Sequence, residues 1–446
     1  MFELNFTDLL DAGHDLLRAA KLIDWDQLHE RLRSYYSNLG RHGKPIRLMV
    51  GLQLLKHHYN CSDERAVEQL HENAYWQCFC GFEHFQRGQI LEPTTLVKFR
   101  ERIGIEGMQQ IEAALLNDWH QKGLVKTARL TVDTTAQPKN IAYPTDADLL
   151  YRIRERIVKQ VKKVRQTIGL TKTFRSFTRS SGQLLIKVKK LYRTKADKQQ
   201  LAIKELLSMT HRVVRQGARI SNSLYARGHN RAGRKLNQLV AVGRQIVTQT
   251  RQVLKGQKPP KRLYSLHEHK VAAIKKGKAN KPCEFGSLVS LAINDDGLIL
   301  SHCEYQKNIA DPRTLGTVLN RVQTNTGKRP DLVTADRGFD QSYKKQRNCQ
   351  RRWAVKRLAI PKKGKKAHRD SDAPWFKKAL KQRVKIEPVI GHLKADHRMG
   401  RCRYKGPKGD TTNVVWAVAA WNMRKVTRLD AIKQAKAAKR KIKCAA

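Results

Sequence analysis

Three carboxylates, Asp133, Asp336 and Glu387, have side chains and settings suited to phosphate chemistry. Asp133 closes the β-branched run Leu130-Thr-Val-Asp133, and Asp336 closes a second, Asp331-Leu-Val-Thr-Ala-Asp336, ahead of Arg337-Gly-Phe-Asp340. Alternation puts the apolar side chains of each run on one face and leaves the acid at the strand end. Ala136-Gln-Pro-Lys-Asn140 is expected to stop the first strand. Glu387 lies in a helical stretch, Lys381–Lys394, where Arg383, Glu387, Ile390 and Lys394 follow one another at spacings of four, three and four and share a face. Pro388 suits a first turn, so the helix should start or kink close to Glu387. Together these acids form an all-oxygen ligand set of the kind hard cations require. Two such ions about 3.5–4 Å apart run in-line displacement at phosphorus. Taken singly, Asp133 reads equally as a turn residue, and Glu387 as an ion-pair partner worth a few tenths of a kcal/mol.

The segments between these acids predict the frame that holds them. Glu284–Asn294 alternates as a strand, Asp295-Asp296-Gly297 reads as a hairpin turn and Leu298–Cys303 as the partner strand. The turn accounts for Asp295 and Asp296. A helix follows over Pro312–Thr326. The expected fold is an α/β mixed sheet with flanking helices and its acids at a shared edge.

Residues 14–120 read as helical. One helix covers Ile46–Tyr59 after Gly43-Lys-Pro45, a second covers Asp63–Glu72 with Ser62 as its cap, and a third covers Leu96–Ile103 with Thr94 or Thr95 as its cap. The third carries Lys98, Arg100 and Arg102 at positions expected to be exposed, which suits either a DNA-facing helix or a solvated bundle. From Leu149 to about Gly256 there is almost no strand signal. Apolar residues recur at three and four (Leu150, Ile153, Ile157, Val161, Val164) beneath a dense Lys and Arg face, predicting a basic helical insert. The tail, Lys433–Lys443, reads as a frayed basic helix.

Composition narrows the partners. The 446 residues hold 90 Lys and Arg against 38 Asp and Glu, a formal net charge of +52 spread along the chain. A polycation of this size calls for a polyanion, and nucleic acid is the expected one. The eight cysteines are scattered without a C-x-x-C pair, which argues against structural zinc and for thiols in a reducing compartment. No apolar run approaches membrane-spanning length, and Met1-Phe-Glu-Leu-Asn-Phe lacks a signal-peptide pattern, so no membrane association and a cytoplasmic location are expected.

Other polar residues have simpler explanations. Asp146 and Asp148 precede a helical run and read as caps, and Asp410 reads as the cap of a following helix. His267-Glu268-His269 has the spacing of one strand face and stands outside the three-acid pattern. His392 and His397 flank Lys394 and read as solvated.

Several ordered blocks resemble a known family. Asp133-Thr-Thr-Ala-Gln137 with Tyr143-Pro-Thr-Asp146, Ala335-Asp-Arg-Gly-Phe339, and Arg383-x3-Glu387-x6-Lys394 resemble bacterial insertion-sequence DDE transposases of the insertion-sequence five family, related to the insertion-sequence four group. Ile46–Gly51, Tyr75-Trp-Gln77, Phe99–Arg102, Ser265–Glu268, Gly277-Lys278 and Glu284-Phe-Gly286 extend the likeness over most of residues 40–425. The resemblance implies an RNase H-like catalytic fold that binds the element's terminal inverted repeats and performs strand cleavage and transfer. It implies Asp133, Asp336 and Glu387 as ligands of two Mg²⁺ ions, replaceable by Mn²⁺, with Arg383 and Lys394 on phosphates. Double-stranded DNA is the implied partner, bound by at least a dimer in the bacterial cytoplasm, with nucleoid association when on DNA. Relatives often carry a Tyr three positions before the Arg; here that position is Leu380.

The expected organisation is an N-terminal helical domain over 1–122, the catalytic core over 123–148 and 261–428, the insert over 149–260 and a basic tail over 429–446. A metal-dependent nuclease without strand transfer, and a catalytically silent DNA-binding protein derived from a transposase, are the alternatives.

Overall fold

The computed structural model describes residues 5–37, 43–169, 173–192, 195–275, 283–364 and 368–445; Gly277 and Lys278 lie outside these segments. The chain divides into two compact units, residues 1–140 with 272–446, and residues 141–271.

The larger unit begins with helices α1 (Phe6–Leu9), α2 (Asp15–Lys21), α3 (Trp25–Arg33), α4 (Ile46–His58), α5 (Asp63–Glu72), α6 (Ala74–Phe79) and α7 (Pro93–Gln121). Ser62 caps α5 as its sequence predicts, accepting from the Arg65 amide. The cap expected at Thr94 or Thr95 falls instead at Glu92, because Pro93 takes the first helical position. Helix α7 then continues past Ile103 through a break at Gly104, where φ is 58°. Helix α4 is buried on almost every side from Ile46 to His57 and forms the centre of this bundle.

Strand β1 spans Arg129–Pro138, so Asp133 sits within the strand and not at its end. The strand runs on through Ala136 and Gln137 before stopping at Pro138, inside the expected 136–140 stretch. Pro138 accepts from the Cys402 amide on the side away from its partner strand, where its own missing N–H costs no ladder bond. The remaining strands are β2 (Ala272–Ile274), β3 (Glu284–Asn294), β4 (Ile299–Tyr305), β5 (Leu332–Ala335) and β6 (Arg357–Ala359). The path runs β2-β3-β1-β5-β6, with β4 also on β3. Strand β3 is antiparallel to β1, β2 and β4, whereas β1, β5 and β6 are mutually parallel. Gly286 is obligatory here: a Cβ would lie 1.9 Å from the Gln137 carbonyl oxygen.

Helices cover both sheet faces. Val132, Ala292, Leu300 and Val333 join one hydrophobic core with α2–α7, α12 (Leu315–Thr326) and Trp416 of α16 (Gly406–Ala445). The N-terminal helices and the sheet thus bury a single apolar core within one compact unit. On the other face, Val289, Leu291 and Ile293 pack with Ile386, Val389 and Leu393 of α15 (Ile386–Ala395). Burying such a side chain contributes about 1.5–3 kcal/mol. This fixes which way α15 turns. The tail belongs to the continuous helix α16, with Ile432–Lys439 exposed. Asp410 lies inside α16, buried 2.6 Å from Lys139 Nζ, and so acts as a counter-ion and not a cap.

The smaller unit packs α8 (Asp146–Ile168), α9 (Thr178–Lys190), α10 (Ala196–Ala226) and α11 (Asn230–Leu254) around Ile153, Ile157, Val161, Val213, Leu236 and Val240. Thr145 caps α8 by accepting from the Asp148 amide, and Arg262 pairs with Asp146 at 2.7 Å. Leu263 and Leu266 join the same core, so this unit extends beyond both ends of the 149–260 insert. His267-Glu268-His269 forms no strand; His267 meets Arg156 in a turn.

Candidate active site

Parallel pairing of β1 with β5 ends at Val132 opposite Ala335. The next residue on each strand is an acid, Asp133 and Asp336, so the register sets both carboxylates where the two strands part. A cavity of about 950 Å³ opens there, lined by Asp133, Asp336 and Glu387 together with Arg383, Ile390 and Lys394. The apolar face of α15 fixes the third acid. With Ile386, Val389 and Leu393 buried against the sheet, Glu387, Ile390 and Lys394 turn to the cavity. Helices α13 (Tyr343–Trp353) and α14 (Pro374–Arg383) precede α15, and Pro388 falls in the first turn of α15, as its missing N–H requires.

Each acid has a defined partner. Asp133 Oδ1 accepts from the Thr134 amide at 2.7 Å, and Asp336 Oδ1 accepts from the Gly338 amide at 2.8 Å. Glu387 Oε1 lies 3.6 Å from Arg383 Nη2, with 62 % of its side chain exposed. So loose and solvated a pair holds Glu387 weakly. Lys394 Nζ lies 3.5 Å from Glu284.

A fourth acid, Asp311, lines the same cavity and escaped the sequence reading. Its Oδ1 accepts the Thr134 hydroxyl at 2.6 Å. A Cβ on Gly338 would meet Asp311 Oδ2 at 2.7 Å and Asp336 Oδ1 at 2.8 Å. Glycine at 338 thus lets these two carboxylates approach the same backbone. The sequence signal was slight: an Asp-Pro step before the helix at 315, which reads as an ordinary helix entry.

The cavity lining offers carboxylate oxygens without His or Cys, donors that suit a hard divalent cation. Among the described residues, no three such side chains converge into a closed metal cluster. The donor types fit the ion, while Glu387 faces Arg383.

The basic helix reads differently in the structure. Lys98 and Arg102 are exposed, but Arg100 is buried. It donates to both oxygens of Asp63, each at 2.8 Å, and stacks on Tyr404. Burial works against both charges, but the ion pairing with Lys56 and Arg100 prevails and holds the Asp63 carboxyl below its ordinary range. Arg100→Ala is therefore expected to cost about 1.5–3 kcal/mol, since Asp63 keeps Lys56 at 2.6 Å but loses its bidentate partner. A lowered thermal midpoint is the check; an unchanged midpoint with weakened DNA binding would restore Arg100 as a DNA contact. His397 is likewise buried, not solvated, and packs against Trp421, whereas His392 pairs with Asp396 at 2.7 Å.

Residues 4–102 match the family described as Transposase domain (DUF772), and residues 251–423 match Transposase DDE domain. An uncharacterized protein, ORF8 in the nfe locus of Rhizobium meliloti, is 40% identical over 165 residues, covering 35% of this chain and 80% of that protein. No solved structure matches the chain. Matched by transposase families on both sides of its helical unit, the chain belongs to the DDE transposases of insertion sequences.

Proposed function

We propose that this transposase binds the terminal inverted repeats of an insertion sequence of the five family and catalyses metal-dependent strand cleavage and strand transfer. The observation that carries the reading is the β1–β5 register, which brings Asp133 and Asp336 to one cavity with Glu387. Support for an RNase H-like core comes from the order β4-β3-β1-β5-β6, in which β3 alone runs against the rest.

Asp133, Asp336 and Glu387 would hold two Mg²⁺ ions, and Mn²⁺ would serve in their place. When bound, the ions supply activation of the attacking oxygen and stabilisation of the leaving oxygen. The protein positions the phosphate: Arg383 and Lys394 face the cavity and neutralise backbone oxygens as DNA enters. Glu387 is held only by its loose 3.6 Å contact with Arg383, so it would be available to hold an ion, and Arg383 would then be available to a phosphate. Lys98 and Arg102 present charge to DNA from α7, and at least two subunits pair the two element ends.

Asp311 positions this set through Thr134, the neighbour of Asp133. Asp311→Asn is expected to lower cleavage about 10–100-fold, as loss of a supporting contact does at metal sites, and to raise the Mg²⁺ concentration needed. A metal titration matching wild type would remove Asp311 from the site.

The defining experiment combines the protein, Mg²⁺, a labelled element end and a target plasmid. Cleaved ends joined to the plasmid are expected. Cleavage without joining would identify a nuclease, and binding without cleavage a silent DNA-binding protein.

A further inference from the structure

The helical unit of residues 141–271 holds 31 Lys and Arg against 6 Asp and Glu, a net +25 of the chain's +52. Neither transposase match reaches most of it, since they end at 102 and resume at 251. Within it, a cavity of about 550 Å³ lies between α8 and the start of α9, lined by Arg154, Val158, Lys159, Lys162, Lys163 and Thr178, among others.

Two independent features of this cavity favour an anion. The first is Arg154, which is fully buried. Its Nη1 donates to the Ser176 carbonyl at 3.1 Å and reaches Thr178 Oγ1 at 3.4 Å, and its guanidinium lies 4.8 Å from the centre of the Tyr151 ring; burial leaves Nε and Nη2 without a hydrogen bond of good geometry among the described residues. Glu155 is the only acid among the described residues lining the cavity, and its carboxylate comes no nearer than 3.9 Å to Nη2. The Tyr151 ring offsets part of the cost of burying this guanidinium, but with its nearest carboxylate at 3.9 Å the charge is still under-compensated, and an anion in the cleft would lower that cost. The second is the start of α9, a helix of 13 residues without a side-chain cap. Its N-cap, Phe177, is held at φ 52°, and Thr178, Arg179 and Ser180 are exposed, so the first-turn amides open to solvent. Such amides, with the helix dipole behind them, attract negative charge.

We propose that this cleft is a phosphate-binding site that takes a backbone phosphodiester of duplex DNA, outside the catalytic cavity. Thr178 and the first-turn amides of α9 receive the phosphate oxygens, Arg154 balances the charge from below, and Lys159, Lys162 and Lys163 carry the neighbouring phosphates. An extended polyanion, not a single small anion, matches a lysine row on a unit of this net charge. The inference rests on the proposal that DNA is the substrate.

The test uses the full chain without divalent metal, so that nothing is cut. Affinity for a short labelled duplex unrelated to any element end is measured by anisotropy across a salt series. The triple variant Lys159→Gln, Lys162→Gln, Lys163→Gln is expected to reduce the slope of log affinity against log salt by about 2–3, near one per lost phosphate contact. Thr178→Asp puts a carboxylate where the phosphate would sit. It should reduce the slope by about one while leaving the thermal midpoint unchanged or higher, because an acid suits a first turn. Wild-type slopes in both variants would overturn the site while leaving the proposed function standing. Failure of the wild-type protein to bind any duplex would overturn both. In a parallel arm with inorganic phosphate, a thermal upshift lost in Thr178→Asp, with unchanged DNA slopes, would make this a free-phosphate site and overturn the DNA assignment.

Discussion

Asp133→Asn, Asp336→Asn and Glu387→Gln are each expected to lower strand cleavage by more than about 100-fold while DNA affinity stays within a few-fold of wild type. The floor comes from supporting residues at metal sites, whose loss costs about 10–100-fold; a residue in direct contact with the ion should cost more. Under the proposed function affinity is spared, because the positive charge available to DNA lies on other residues, Arg383, Lys394 and the many exposed lysines and arginines. Removing a carboxylate also takes negative charge away from the cavity proposed to receive DNA, which should strengthen binding slightly. Glu387→Gln is the most informative of the three. If it cuts at the wild-type rate, the 3.6 Å pair with Arg383 is the whole role of Glu387, and the third ligand must be another acid of the cavity.

The second large effect concerns stability. His302 on β4 is fully buried between Glu112 of α7, 3.1 Å from Nε2, and Glu304, which meets Nδ1. Arg321 of α12 donates to Glu112 at 3.0 Å. Burial alone would push the imidazole down, but the flanking carboxylates overcome it and hold His302 up at about 9. Because the folded value lies above the ordinary 6.5, the stabilisation is complete below pH 6.5. It is lost as pH rises through about 9, and amounts to roughly 3 kcal/mol. At the acid end, burial holds His58 and His397 down at about 4, with Arg424 and His58 respectively adding repulsion. Those two favour the folded state above pH 6.5 and cease to do so as pH falls towards 4. The melting midpoint should therefore fall on both sides of neutrality. Glu112→Ala is expected to cost about 3–5 kcal/mol at neutral pH by leaving His302 and Arg321 in a buried, weakened network, and to flatten the alkaline limb. A wild-type midpoint constant between pH 6.5 and 9 would contradict this.

What could be read from the sequence was local. Ser62 caps its helix, Pro388 sits in a first turn, and Glu284–Asn294 followed by Asp-Asp-Gly forms the hairpin, because each signal depends on neighbours within a few residues. What could not be read depends on distant partners. Arg100 has the spacing of an exposed helical residue, yet Asp63 and Tyr404 bury it from 37 and 304 positions away. Strand β1 runs past Asp133 and into the expected stop because β3 pairs with it as far as Pro138. Asp311 looks like a helix entry until the fold brings its loop against Gly338. His302 gives no sign in its own segment of the two glutamates that charge it, since Glu112 lies 190 residues earlier. The three acids were legible as types, Asp336 at a strand end and Glu387 on a helix face, while the place of Asp133 inside β1 and the meeting of all three at one cavity required the register.

Metal ligation by that cavity is tested most directly by exchanging an oxygen ligand for sulfur. Asp336→Cys, assayed on a labelled element end, is expected to be inactive with Mg²⁺ and to regain cleavage with Mn²⁺, which accepts the softer thiolate more readily. Metal binding measured by calorimetry should follow the same order. Equal activity of Asp336→Cys in both ions, or equal loss in both with unaltered metal binding, would show that Asp336 does not hold the metal.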